Sequence, residues 1–214
     1  MSKQPTPVKR SQAPKMRGIQ PSEPRFGISR NAYLGIGVVV LVAALFGAST
    51  LVGRSGNAPR ASAPLAIGSK APSFSAVSAI TQIPISSKTL AGKNVLYFFN
   101  EGAGCQACMV QIQSLEKHIA HLTSLHLTLV SITNDDRSVL FQAAAGYKVS
   151  TPLISDASRK MTNSFHALGG GMHADTASHT FILVDRAGTV RFDKDYPNMW
   201  IEPAALLKLL PKLS

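Results

Sequence analysis

Val95-Leu96-Tyr97-Phe98-Phe99 runs through Asn100-Glu101-Gly102-Ala103-Gly104 into Cys105-Gln106-Ala107-Cys108. The opening run is continuously apolar, the pattern of a central strand covered on both faces. After it, Met109, Ile112, Leu115, Ile119 and Leu122 recur at three- and four-residue steps. That spacing predicts one amphipathic helix over Gln106–His121. A strand that ends in Cys-x-x-Cys and opens a helix is how a dithiol redox site is built. The spacing lets the sulfurs of Cys105 and Cys108 meet across the first turn, so a disulfide between them is expected. The free N–H groups and positive dipole end of the helix favour the thiolate at Cys105.

Cys105 and Cys108 are the only cysteines of the chain. A zinc site needs four ligands. The nearest candidates, His118 and His121, lie roughly 15–20 Å further along the same predicted helix at about 1.5 Å rise per residue. A structural staple normally closes a longer loop, because so short a loop removes little chain entropy. Reactivity is the better reading of the pair.

Outward from this site, the next signal is an uncharged stretch between Arg30 and Arg54. At about 20 residues per bilayer crossing it is long enough to span a membrane. Residues 32–53 are therefore read as a transmembrane helix. The preceding segment carries Lys3, Lys9, Arg10, Lys15, Arg17, Arg25 and Arg30 against Glu23 alone. The positive-inside rule then puts residues 1–31, a basic, proline-rich tail read as disordered, in the cytoplasm. The expected location is the cell membrane, single-pass, with the C-terminal domain extracytoplasmic. Residues 54–68 are Pro/Gly/Ser-rich and read as a linker. Residues 69–214 are long enough for one domain with a full core.

The chain has a formal net charge of +11. Much of this sits beside the expected span, and from Lys70 onward basic and acidic residues nearly balance. Charge gives no case for nucleic-acid binding by the domain.

The remaining elements give an α/β order. Leu125–Ile132 reads as a strand, Asn134-Asp135-Asp136 as the cap of a helix through Ala145, and Asp156 or Ser158 as the start of a shorter helix. Thr180–Val184 and Val190–Phe192 flank Asp185-Arg186-Ala187-Gly188-Thr189, a hairpin signal. Glu202-Pro203 opens a closing helix. The first crossover requires a parallel strand pair and the hairpin an antiparallel one.

From about Ile67 onward the chain resembles the thioredoxin-like superfamily, in its redoxin or alkyl-hydroperoxide-reductase/thiol-specific-antioxidant (AhpC/TSA) branch. The matching residues are Gly68-Ser69-Lys70-Ala71-Pro72-Ser73-Phe74, the strand into Cys105–Cys108, Val149–Asp156 and Thr180–Val190. The resemblance implies a thioredoxin-like fold, a central mixed sheet flanked by helices. A peroxiredoxin site carries Pro-x-x-x-Thr/Ser-x-x-Cys. Here Cys108 stands at the peroxidatic position, Cys105 replaces the Thr and Glu101 the Pro. No arginine lies between Arg159 and Arg186, where a peroxiredoxin has one before its late strand. Thioredoxins place a cis-proline at that same strand, and Ser178 and His179 occupy the region here.

The expected function is that of a membrane-anchored extracytoplasmic thiol–disulfide oxidoreductase. Cys105 is the attacking thiolate and Cys108 the resolving thiol. Glu101, on the loop before the motif, is a candidate for moving protons to Cys108. The alternative is a peroxiredoxin-like thiol peroxidase. A second alternative is a Sco-like copper chaperone, in which His173 or His179 would join the two thiolates on copper. Those chaperones space their cysteines three apart, not two. No cofactor is implied. The expected partners are a protein dithiol or disulfide substrate and a separate redox protein, since the expected span has no cysteine to carry electrons.

Overall fold

The computed structural model describes residues 60–170 and 174–213. The tail 1–31, the expected span 32–53 and His173 lie outside the described residues. Among those described, no helix is long and apolar enough to cross a membrane.

A small antiparallel hairpin, β1 (Ser75–Val77) and β2 (Pro84–Ser86), precedes the central strand β3 (Asn94–Phe99). A 3-10 turn, Gly102–Gly104, leads into α1 (Gln106–Glu116), and α2 (Ile119–Ser124) follows. Next come β4 (Leu127–Thr133), α3 (Arg137–Tyr147), β5 (Leu153–Ser155) and α4 (Lys160–Ser164). The hairpin β6 (Thr180–Val184) and β7 (Val190–Asp195) and the helix α5 (Pro203–Leu209) complete the fold. The main sheet has the order β5-β4-β3-β6-β7. β3, β4 and β5 run parallel, while β6 and β7 are antiparallel additions. This is the mixed thioredoxin-like sheet with helices on both faces.

Strand β3 is buried at every position, because each face of the sheet carries its own core. Its side chains alternate between the two. Leu96 and Phe98 join Met109 and Ile112 of α1, Phe181 of β6 and Leu206 of α5. Val95, Tyr97 and Phe99 join Ile132, Phe165 and Ile182 on the opposite face. Phe98 pairs with Phe181 across the strands, their rings stacked 4.3 Å apart. Met109, Ile112 and Leu115 of α1 are completely buried, and each contributes about 1.5–3 kcal/mol by leaving water. That packing holds the cysteine-bearing helix against the sheet.

The structure departs from the predicted elements in several places. The helix expected over Gln106–His121 is broken at Lys117 and His118, where His118 N–H donates to Leu115 O at 2.9 Å in a tighter turn. The His118 ring also bonds the Ser114 carbonyl at 2.9 Å. The turn rotates the register, so Ile119 faces solvent while Leu122 stays buried. Of the Asn134–Asp136 cap, Asp136 occupies the N-cap of α3 without a side-chain bond. Asp135 turns instead toward the cysteine loop. Asp156 does tie the next short helix, accepting the N–H of Thr162 at 2.7 Å.

The described chain is held to the sheet from Arg60, inside the segment read as linker. The Arg60 guanidinium lies 2.7 Å from Asp193 on β7, with both side chains buried. Arg60 N–H donates to Asp195 and Ala61 N–H to Leu168 O.

Candidate active site

The site is built at the carboxyl end of β3. Asn100, fully buried, turns its amide back to the Phe98 carbonyl and accepts Gly102 N–H at 3.0 Å. Gly102 has φ +82°, a left-handed conformation that glycine adopts without strain. It lies directly against the Asp135 carboxylate. Asp135 accepts Ala103 N–H at 2.8 Å and the Thr133 hydroxyl at 3.1 Å, and its carbonyl accepts the Ser155 hydroxyl. The ends of three parallel strands thus fix the turn that presents the cysteines. Glu101 begins this turn and is half-buried.

Cys105 is the N-cap of α1, with extended backbone, and is half-buried. Its Sγ accepts the Cys108 N–H at 3.1 Å. A sulfur in this position faces the unpaired N–H groups of the helix and the positive end of its dipole, which stabilise negative charge there. Cys108, one turn on, is completely buried. The two are joined in a disulfide with Cα atoms 5.3 Å apart. The two cysteines are therefore unequally buried, Cys105 partly and Cys108 completely.

Behind Cys108 stands His179, at the head of β6. Its Nδ1 lies 3.8 Å from Cys108 Sγ. The imidazole is fully buried, edge-on to Phe98 at 4.6 Å between centroids and to Phe181 at 5.8 Å. The Tyr196 N–H donates to the His179 carbonyl at 2.8 Å and fixes its backbone. Burial pushes the imidazole down to about 3, so it is neutral beside the disulfide. Ser178, preceding it, is held through its hydroxyl to Thr180 and through its N–H to Ala167 O. No cis peptide bond occurs among the described residues.

Sequence reasoning singled out both cysteines, and the structure brings them together. It singled out His179 as a copper candidate and as a residue standing where thioredoxins place their cis-proline. Among the described residues no group of three or more His, Cys, Asp or Glu side chains is arranged to hold a metal ion. Asn100, Thr133 and Asp135 carried no local signal, because what they support is remote in sequence. A cavity of about 1240 Å³ lies between β1, α3 and α4. Phe74, Arg137, Phe141 and Met161 help to line it, and neither cysteine does.

A five-stranded mixed sheet with a Cys-x-x-Cys disulfide at the junction of central strand and first helix defines a thioredoxin-like domain. The AhpC/TSA family model matches residues 67–193, over half the chain. The chain belongs to that family, a family of oxidoreductases. Among solved structures it is similar to Enterococcus faecalis AhpC, at 20% identity and TM-score 0.59, over 66% of this chain and 88% of that one. The peroxidoxin BcpB of Mycobacterium tuberculosis matches at 18% identity and TM-score 0.57, over 66% and 92%. The reduced 2-Cys peroxiredoxin of Plasmodium vivax matches at 18% and 0.59, over 67% and 93%. At these identities the likeness is one of fold. No curated protein sequence matches the chain.

Proposed function

We propose that this domain is a thiol–disulfide oxidoreductase in which Cys105 attacks and Cys108 resolves. The observation that carries the reading is the unequal burial of the two cysteines at the start of α1, with Cys105 at its N-cap. The Cys105 thiolate attacks a substrate disulfide, a Cys105–substrate bond forms, and one substrate thiolate leaves. Cys108 then attacks Cys105 Sγ, the mixed disulfide breaks, and the second substrate thiolate leaves. Two electrons pass to the substrate and the Cys105–Cys108 disulfide closes. The reverse sequence oxidises a substrate dithiol.

The family match favours a second reading, a thiol peroxidase. In that reading Cys108 attacks peroxide and Cys105 resolves the sulfenic acid. Complete burial of Cys108 counts against it. So do Glu101 and Cys105 in place of the peroxiredoxin Pro and Thr. The reduced protein should therefore react with hydrogen peroxide at a rate close to that of an ordinary thiol, and much faster with a peptide disulfide. Stopped-flow oxidation by each measures this. A peroxide rate orders of magnitude above that of a free thiol would transfer the assignment to the peroxidase.

A further inference from the structure

We propose that His179 is a catalytic residue, the proton acceptor that converts Cys108 from thiol to thiolate as it resolves the mixed disulfide. The inference rests on the exchange reading and deepens it.

Cys108 is buried one turn inside α1, and a buried thiol in apolar surroundings is held in its protonated, unreactive form. Resolution nevertheless requires the thiolate. Unlike Cys105, Cys108 does not occupy the helix N-cap. The polar side-chain atom set against its sulfur is Nδ1 of His179, at 3.8 Å. The Phe98 and Phe181 rings, from β3 and β6, hold the imidazole in place. Among the described residues, titratable residues of other elements that meet His179 or its neighbour are Cys108 of α1 at the ring, Tyr196 just after β7, whose N–H holds the His179 carbonyl, and Asp195 of β7, which accepts the hydroxyl of the adjacent Thr180 at 3.0 Å. The other ring nitrogen, Nε2, is buried with no hydrogen-bond partner among the described residues. Burying a polar nitrogen unpaired is costly, so simple core filling is a poor account of a histidine here.

The step balances. The Cys108 S–H proton moves to Nδ1, giving a thiolate–imidazolium pair, in which each charge favours the other. The thiolate attacks Cys105 Sγ, the Cys105–substrate bond breaks, and its electron pair leaves on the substrate thiolate. Once Cys108 sulfur is in the disulfide, the imidazolium has lost its counter-charge. Burial then expels the proton to the departing thiolate or to solvent, and His179 returns to the neutral state described above.

The test uses the full chain in mild detergent, reduced, and mixed with the aryl disulfide dithiobis-nitrobenzoate. Attack by Cys105 releases a first coloured thiolate. Resolution by Cys108 releases a second, and only the second reads the proposed step. In His179→Phe, which keeps a ring against Phe98, the second phase should slow at least about tenfold at neutral pH and approach the parent rate as rising pH ionises the buried Cys108 thiol without the base. The first phase should be unchanged. His179→Asn keeps a polar atom but no titrating nitrogen. It should behave the same way, and it carries the test if His179→Phe fails to fold. A second phase at the parent rate in a folded variant, or one slowed equally at every pH, overturns the proposal and leaves His179 a packing residue. Absence of any second phase in the parent would instead overturn the exchange reading itself.

Discussion

Cys105→Ser is expected to lower the rate of disulfide reduction by more than about a thousandfold, because the group removed is the nucleophile itself. Cys105 alone combines solvent access with the helix N-cap position. Serine is far less nucleophilic at neutral pH, and the buried Cys108 sulfur cannot stand in for it. Cys108→Ser should behave differently. The first attack survives, but nothing resolves the product, so the protein accumulates as a Cys105–substrate mixed disulfide. Intact-protein mass spectrometry after mixing with a peptide disulfide distinguishes the two. Stable adduct on Cys108→Ser and none on Cys105→Ser is the expected pattern. Adduct through Cys108 in the Cys105→Ser protein would reverse the assignment of attacker and resolver.

The second large effect is on the loop that presents the pair. Gly102→Ala should destabilise the domain by about 3 kcal/mol. Part of this is the left-handed backbone at φ +82°, which costs an L-residue about 1–2 kcal/mol. The rest is steric and polar. A Cβ would overlap the Asp135 carboxylate and come within 2.9 Å of Thr133 Cβ. Moving Asp135 aside leaves the Ala103 N–H without its acceptor, worth about 1–3 kcal/mol. Gly104, two residues on, has nothing within 4 Å of the same added atom. Gly104→Ala should therefore stay within about 0.5 kcal/mol of the parent. Denaturant unfolding of the two variants makes the comparison. Equal effects would mean that the Gly102–Asp135 contact does not hold the loop.

Much of this architecture was legible in the chain. The apolar run Val95–Phe99 announces a strand buried on both faces, and the hairpin around Asp185–Thr189 is a local signal. There Asp185 accepts the Ala187 and Thr189 N–H groups, both at 2.9 Å, and Gly188 takes φ +74°. Three-residue strands were not legible. β1, β2 and β5 are too short for a period to show, and they form because partners exist: β5 pairs with β4 through Ser131–Thr133. The break at Lys117–His118 was hidden for a related reason. Apolar spacing alone does not report the rotation of the second helix, and neither Gly nor Pro marks the turn. At the site, the cysteines were visible because their spacing is local. His179 lies 71 residues from Cys108, and its meeting with that sulfur follows from the pairing of β6 with β3.

The central claim is that Cys105 and Cys108 cycle between dithiol and disulfide. A redox titration of the full chain in glutathione or dithiothreitol buffers, read by alkylating free thiols, tests it most directly. The account predicts one two-electron transition that adds a label at each cysteine, with a midpoint between about −270 and −120 mV, the range of exchange-active dithiols. A pair that stays oxidised down to below about −300 mV would be a structural disulfide, and the account would be contradicted.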